Sequence, residues 1–288
     1  MNSVKSSPPG SLFVVATPIG NLDDISKRAR EVLGSVDRVL AEDTRHSARL
    51  LTSIGASTTV NAFHDHNERD MSATIVARLK NGENVALICD AGTPAISDPG
   101  YHLLKLAHEN GIRVVPVPGP SAVIAALSVC GLPVDRFMFE GFLPSRAGQR
   151  RTRLRELSDS PHTFVLLESP HRIVDALDDM VEILGAERPA SLAKEMTKMY
   201  ESVHTGTLGS LRAWLLEETE RRKGEFVLVV SGAAASADGA GTEEQRRLLT
   251  LLLEELPLKS AVRLAAKITG EGKNDLYQLA LRLSRSVD

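Results

Sequence analysis

The chain has 288 residues, 42% of them apolar and 25% charged, a balance that suits packed globular domains and excludes intrinsic disorder over most of the length. At roughly 100 to 200 residues per domain, two domains are favoured over one, and the longest apolar runs fall far short of the roughly 18 residues of a spanning helix. A formal charge of −3, from 34 basic and 37 acidic residues, excludes a polycation, so nucleic-acid contact requires a local patch.

Aromatic residues make up only 4%, which argues against a base-stacking platform. The first apolar run, Leu12 to Ala16, is too short for a secretory core, so the expected compartment is the cytoplasm. Cys89 and Cys130 lack Cys-x-x-Cys spacing and read as buried free thiols.

In chain order, residues 1–11 read as a Ser/Pro-rich flexible tail. From Leu12, β-branched runs alternate with helical patterns, the signature of parallel strands joined by helical crossovers. Strands are expected at Leu12 to Ala16, Val36 to Ala41, Val85 to Asp90 and Ile112 to Val117. Helices are expected at Asp24 to Leu33, Arg45 to Ile54, Met71 to Lys80 and Gly100 to Glu109, the first capped by Asp23 or Asp24 and stopped by Gly34. Prolines 116, 118 and 120 mark a boundary, giving an N-terminal α/β domain over 12–117.

A second α/β domain is expected over 118–231. Its strands are Phe137 to Phe142, Thr163 to Glu168, Ala190 to Lys194 and Glu225 to Ser231. Its helices are Ser121 to Cys130, Arg151 to Leu157, Arg172 to Leu184 and Leu208 to Arg222. An Ala/Gly/Ser-rich linker follows at 232–242, and a helical tail module at 243–288 with helices at Glu243 to Leu256, Lys259 to Ile268 and Lys273 to Leu283.

The most informative segment is Cys89-Asp90-Ala91-Gly92-Thr93-Pro94-Ala95-Ile96-Ser97-Asp98-Pro99-Gly100. It lies between a strand and a helix, where open α/β sheets bind ligands, and so polar a loop is costly to order without a function. Thr17-Pro18-Ile19-Gly20-Asn21-Leu22 occupies the equivalent place after the first strand. It is neither a Gly-x-Gly-x-x-Gly fingerprint nor a Walker loop, which disfavours dinucleotide and NTP sites.

Glu42-Asp43-Thr44-Arg45-His46 either caps a helix or supplies a base or phosphate contact. His64-Asp65-His66 lacks a third ligand at suitable spacing, so no metal is expected. Five arginines fall between Arg146 and Arg155 with no acid among them, a pattern suited to polyanion contact. Glu168-Ser169-Pro170-His171-Arg172 and Lys194-Glu195-Met196-Thr197-Lys198 each read as a strand end leading into a helix, with charges expected to face the Asp90 loop.

Taken together, the Thr17–Leu22, Glu42–Arg45, Asp90–Pro94, Ser97–Gly100, Pro118–Ala122, Gly141–Pro144 and Glu168–Arg172 segments occur in the order of one family. The chain closely resembles the bacterial small-subunit rRNA (cytidine-2′-O)-methyltransferases, an RNA-acting branch of the tetrapyrrole methylase superfamily. Small departures are Ser47, Arg146 and Tyr200, where Thr, Lys and His would be usual.

The resemblance implies two α/β domains of the tetrapyrrole methylase type with a cofactor cleft between them, plus a small C-terminal helical segment. It implies S-adenosylmethionine as cofactor, small-subunit 16S rRNA as partner, cytidine 1402 as the modified nucleotide, and a homodimer. Carried over, the cofactor residues are Pro18, Asp90, Ala91, Gly92, Thr93, Ile96, Ser97, Ser121, Ala122, Phe142 and Leu143. Asp43, His46, Glu168, Lys194 and Lys198 are candidate bases, with Asp43 and Lys198 favoured. Rim and run arginines, Arg45, Arg146, Arg150, Arg151, Arg153, Arg155 and Arg172, are expected to hold RNA phosphates. The alternatives are a tetrapyrrole C-methyltransferase and a non-catalytic rRNA-binding assembly factor.

Overall fold

Residues 8–233 and 243–285 are described by the computed structural model. Most of the expected N-terminal tail, most of the 232–242 linker and the last three residues of the helical module lie outside the described residues.

Five short runs rich in Val, Leu and Ala form the first sheet: β1 (Ser11–Val15), β2 (Arg38–Ala41), β3 (Thr59–Ala62), β4 (Val85–Leu87) and β5 (Arg113–Val117). Their order is β3-β2-β4-β1-β5, with every adjacent pair parallel. Helices α1 (Lys27–Ser35), α2 (Thr44–Ser53), α3 (Glu68–Lys80), α4 (Tyr101–Glu109) and α5 (Ala122–Val129) intervene or follow.

A parallel sheet is covered on both faces, and alternate strand residues divide accordingly. Val15, Val39, Ala41 and Ala86 pack with Ala29, Leu33, Leu50 and Leu51 of α1 and α2. Their neighbours Leu12, Leu40, Val85 and Leu87 pack with Ile75, Val76, Leu79, Leu103 and Ala107 of α3 and α4. This doubly wound arrangement directs every strand's carboxyl end to one edge.

The second sheet comprises β6 (Phe137–Phe142), β7 (Thr163–Glu168), β8 (Pro189–Lys194), β9 (Ser202–Thr207) and β10 (Phe226–Val230), in the order β6-β7-β10-β8-β9. Glu140 falls in a register shift of the parallel β6–β7 pair. Helices α6 (Ala147–Leu157), α7 (Ile173–Leu184) and α8 (Leu208–Glu217) accompany it. The C-terminal helices α9 (Glu243–Glu255), α10 (Leu258–Thr269) and α11 (Lys273–Arg285) share a core of Leu249, Val262, Ala265, Leu276, Leu279 and Ala280.

The chain divides into two compact units at Gly131/Leu132, later in sequence than the proline-rich boundary. The first unit is Met1–Gly131 with Leu192–His204 and Gly224–Leu228; the second is Leu132–Ser191 with Thr205–Lys223 and Val229–Asp288. Pro116 lies inside β5 rather than ending it, paired with Val14. The position is tolerated because β5 is an edge strand.

Both strands that the sequence pattern misses, β3 and β9, are edges, and β9 alternates exposed and half-buried residues instead of forming an apolar run. Ser26, not Asp23 or Asp24, caps α1 by accepting from the Ala29 N–H at 3.0 Å, and Gly34 sits within its last turn. Residues 208–222 divide into α8 and a separate 3₁₀ turn at Thr219–Arg222.

In the second unit, a buried carboxylate joins α6 to α7. Asp179 accepts from Arg150 Nε at 2.6 Å and from Arg151 Nε at 2.7 Å, with Arg150 and Asp179 almost wholly out of solvent. Removing one partner would strand a buried charge, which costs about 3 to 5 kcal/mol. Asp179→Ala is therefore expected to lower the stability measured by urea unfolding by about 3 kcal/mol; a loss under about 1 kcal/mol would contradict this role.

Candidate active site at the carboxyl edge of the first sheet

Loops leaving β1, β4 and β5 are fastened to one another at the carboxyl edge. The Thr17 N–H donates to Gly92 O at 2.8 Å and the Gly92 N–H returns to Thr17 O at 3.1 Å, an isolated antiparallel bridge. Buried Thr17 also donates its hydroxyl to Cys89 O at 3.1 Å. Thr93 Oγ1 donates to Pro120 O at 3.2 Å, bringing in the loop before α5, where Ser121 Oγ caps the helix by accepting from the Ile124 N–H.

Gly92 has φ +89°, a conformation that favours glycine. Gly92 is buried, and an added Cβ would stand in ordinary van der Waals contact with Ile19 Cγ2 at 3.6 Å and near Pro120 O at 3.9 Å, so its backbone conformation rather than crowding is what favours glycine. Further along, Ala95 and Ser97 have φ of +67° and +64° although neither is glycine. Such backbone is costly and tends to cluster at functional sites. Between them Ile96 presents an apolar side chain that is 52% exposed.

The loop's far end is held by Glu68, a buried carboxylate that accepts from the N–H groups of Gly100, His102 and Leu103 at 3.1, 2.8 and 3.4 Å. Chain order gives no sign of this link from α3 to α4.

The same edge is acidic. Asp43 caps α2, accepting from the Arg45 and His46 N–H groups, and these bonds hold its carboxyl below the usual range. Its own N–H donates to Asp90 Oδ1 at 3.0 Å. Burial and then the Asp90 and Asp65 charges push Glu42 upward, against a smaller opposing influence from His64.

Asp98 is pushed up to about 6, first by burial; the Cys89 thiol opposes this, while Glu42, Asp90 and Asp65 add to it. Cys89 and Cys130 are buried and free, and burial raises the Cys89 thiol. No group of three or more His, Cys, Asp or Glu suited to a metal occurs among the described residues.

Lys198 also belongs to the first unit, but its segment is a turn leading to β9 rather than the expected helix start. An added Cβ on Gly20 would lie 2.5 Å from Lys198 Cγ and 2.8 Å from Thr197 Oγ1, so glycine is what lets the Pro18–Leu22 loop approach. The Asn21 N–H donates to Thr197 Oγ1 at 3.1 Å. Lys198 Nζ pairs with Glu195 at 3.0 Å and Glu225 at 3.1 Å. Burial lowers its affinity for the proton, but the two carboxylates outweigh burial and raise it, which favours the charged amine.

Pro18, the Asp90–Thr93 loop, Ile96, Ser97, Ser121, Ala122, Asp43 and Lys198 thus fall in the first unit, whereas Phe142 and Leu143 fall in the second. There Phe142 is 53% exposed and Leu143 is buried. The arginines differ sharply among themselves. Arg150 is buried on Asp179, which corrects its expected role as a phosphate contact. Arg151 is paired with Asp179 and Glu182, and Arg153 with Glu140 and Glu156.

Arg172 donates to Leu143 O and lies beside buried Glu168. Burial raises the Glu168 carboxyl, while the Ser169 N–H and the Arg172 and Arg150 charges oppose that rise. Arg146 and Arg155 are exposed, with no ion pair among the described residues, and Arg45 is exposed beside Asp43 at 3.5 Å.

The family model of the tetrapyrrole (corrin/porphyrin) methylases matches residues 11–212, and that of the RsmI C-terminal HTH domain matches residues 239–284. Among solved structures, uroporphyrin-III-C-methyltransferase from Thermus thermophilus has a TM-score of 0.55 at 21% identity, covering 77% of this chain and 94% of that one. Cobalt precorrin-4 methyltransferase has a TM-score of 0.58 at 18% identity, covering 77% and 94%. These likenesses define a tetrapyrrole methylase fold.

The "Ribosomal RNA small subunit methyltransferase I" proteins of Pseudomonas aeruginosa and Escherichia coli O157:H7 are 53% and 50% identical over 95% and 94% of this chain. The matches cover 97% and 95% of those proteins. The chain therefore belongs to the ribosomal RNA small subunit methyltransferase I family, S-adenosylmethionine-dependent enzymes within the tetrapyrrole methylases.

The Asp98 shift has a testable consequence. Because the folded-state value of about 6 exceeds the usual 3.8, the folded protein retains a proton that the unfolded chain has lost. That contribution to stability is complete below the unfolded value and disappears as pH rises through about 6. Asp98→Asn is expected to flatten the fall in Tm between about pH 4 and about pH 6; parallel curves for variant and wild type would contradict it.

Proposed function

We propose that this chain methylates the ribose 2′-hydroxyl of cytidine 1402 in the 16S rRNA of the small ribosomal subunit. The observation that carries the reading is the match, at about half identity and nearly full length, to proteins named as small-subunit rRNA methyltransferases, extending through the C-terminal helices. S-adenosylmethionine, when bound, supplies a methyl group on a sulfonium. The residues at the carboxyl edge fit such a donor: backbone groups of the Asp90–Thr93 loop, the Ser97 and Ser121 hydroxyls and the exposed Ile96 side chain.

On this reading Pro18, Asp90, Ala91, Gly92, Thr93, Ile96, Ser97, Ser121 and Ala122 hold the cofactor. A ribose hydroxyl is a weak nucleophile at neutral pH, and a positioned base contributes about 10²- to 10⁴-fold. With Lys198 a cation, Asp43 is the acceptor proposed, and Lys198 orients the Gly20 loop from its seat between Glu195 and Glu225.

Asn caps a helix as well as Asp does, so Asp43→Asn separates the base from the cap. The variant is expected to slow single-turnover methylation by about 100-fold or more while α2 remains folded. A rate within about threefold of wild type would remove Asp43 from the chemistry.

Arg45, Arg146 and Arg155 are the proposed phosphate contacts. Replacing Arg146 and Arg155 together by Ala is expected to weaken RNA binding and flatten its dependence on salt, with cofactor affinity unchanged. An unchanged salt slope would overturn that assignment. Mass spectrometry of rRNA from small subunits lacking the modification, incubated with enzyme and cofactor, should show one added methyl on the cytidine 1402 ribose. Methyl transfer to uroporphyrinogen with none to the subunit would overturn the RNA reading.

A further inference from the structure

We propose that the hollow between α3 and α4 is a further RNA-contact site, in which Arg69 and Lys105 hold a backbone phosphodiester while Tyr101 offers its ring to an adjoining base. The inference rests on the RNA substrate proposed above. It concerns a place that neither the arginine run nor the cofactor loops include.

The hollow measures about 220 Å³ and is lined by Arg69, Ser72, His102, Lys105, Leu106 and Glu109. That is below the roughly 300 Å³ at which small-molecule pockets begin, and two long cations stand over it, so its scale and charge suit a phosphate group. Each helix of a doubly wound sheet starts near the carboxyl edge. Arg69 is in the first turn of α3, and Tyr101 and His102 are in the first turn of α4. The hollow therefore runs along α4 from the helix start nearest the Asp90–Gly100 loop to Glu109 at the helix end.

Its floor is fixed. The Glu68 carboxylate is taken up by three N–H groups of the α4 start, and Ser72 Oγ donates to Glu68 O at 2.6 Å. Over that floor the positive charge is poorly compensated. Arg69 donates its Nε to His102 Nε2 at 3.3 Å, a bond to an imidazole rather than to a carboxylate, and its terminal nitrogens have no ion pair among the described residues.

Lys105 has only a loose pair with Glu109 at 3.9 Å, with both side chains more than half exposed. Such a pair is worth little and yields readily to a phosphate. Tyr101, 65% exposed, makes a T-shaped contact with His102 at 5.3 Å between ring centres, and an aromatic ring this exposed is a surface on which an unpaired base can stack.

The test uses the full chain and unmodified small ribosomal subunits. Arg69→Ala combined with Lys105→Ala is expected to weaken subunit binding about tenfold and reduce the slope of log K against log salt by about one. Tyr101→Ala is expected to weaken binding at least about fivefold with little change in slope. Calorimetry with S-adenosylmethionine should give wild-type affinity for all variants, showing that the carboxyl edge remains folded. Wild-type subunit affinity and slope in the double variant would overturn this inference alone. A wild-type protein that neither binds nor methylates the subunit would overturn the RNA substrate, and this inference with it.

Discussion

The bridge between Thr17 and Gly92 is the constraint on which the rest of the site depends. Two reciprocal backbone hydrogen bonds join loops more than 70 residues apart in sequence, and the buried Thr17 hydroxyl adds a third link to Cys89 O. Left-handed backbone at Gly92 makes the close approach possible. Once the β1 and β4 loops are joined, Thr93 reaches the loop before α5, Gly20 settles on the Thr197–Lys198 turn, and Glu68 closes the far end at Gly100. The strain at Ala95 and Ser97 is sustained because both ends of their loop are fixed.

Electrostatics divides the charged residues by what already satisfies them. Burial first, and then mutual repulsion among the carboxylates at the edge, raises Glu42 and Asp98, whereas Asp43 is held low by the backbone donors of α2. Lys198 sits between two carboxylates, which favour its charged form. The arginine run shows the same principle. Its density in sequence suggests one basic face, but the α6 helix turns Arg150 into the interior and ties Arg151 and Arg153 to acids, leaving Arg146 and Arg155 exposed.

Much of the fold was legible in the sequence because a parallel sheet buried on both faces needs continuous apolar runs, and β1, β2, β4, β7 and β10 provide them. The Asp90–Gly100 loop was legible because its density of Gly, Pro, Asp and Ser is costly unless ordered for a purpose. Edge strands β3 and β9 were not, since each is paired on one side only and neither carries a continuous buried run. Glu68 and the Thr197–Lys198 turn were hidden for a different reason: their partners are distant in sequence, and no local pattern encodes such a bond. The burial of Arg150 depends on Asp179 in the next helix, which no count of arginines reveals.

A crystal structure of the protein with S-adenosylhomocysteine should show the nucleoside against the Gly92–Ser97 backbone, with Thr17 and Gly92 still joined beneath it. Clear density for the ligand elsewhere in the chain, with none along the Gly92–Ser97 backbone, would contradict it.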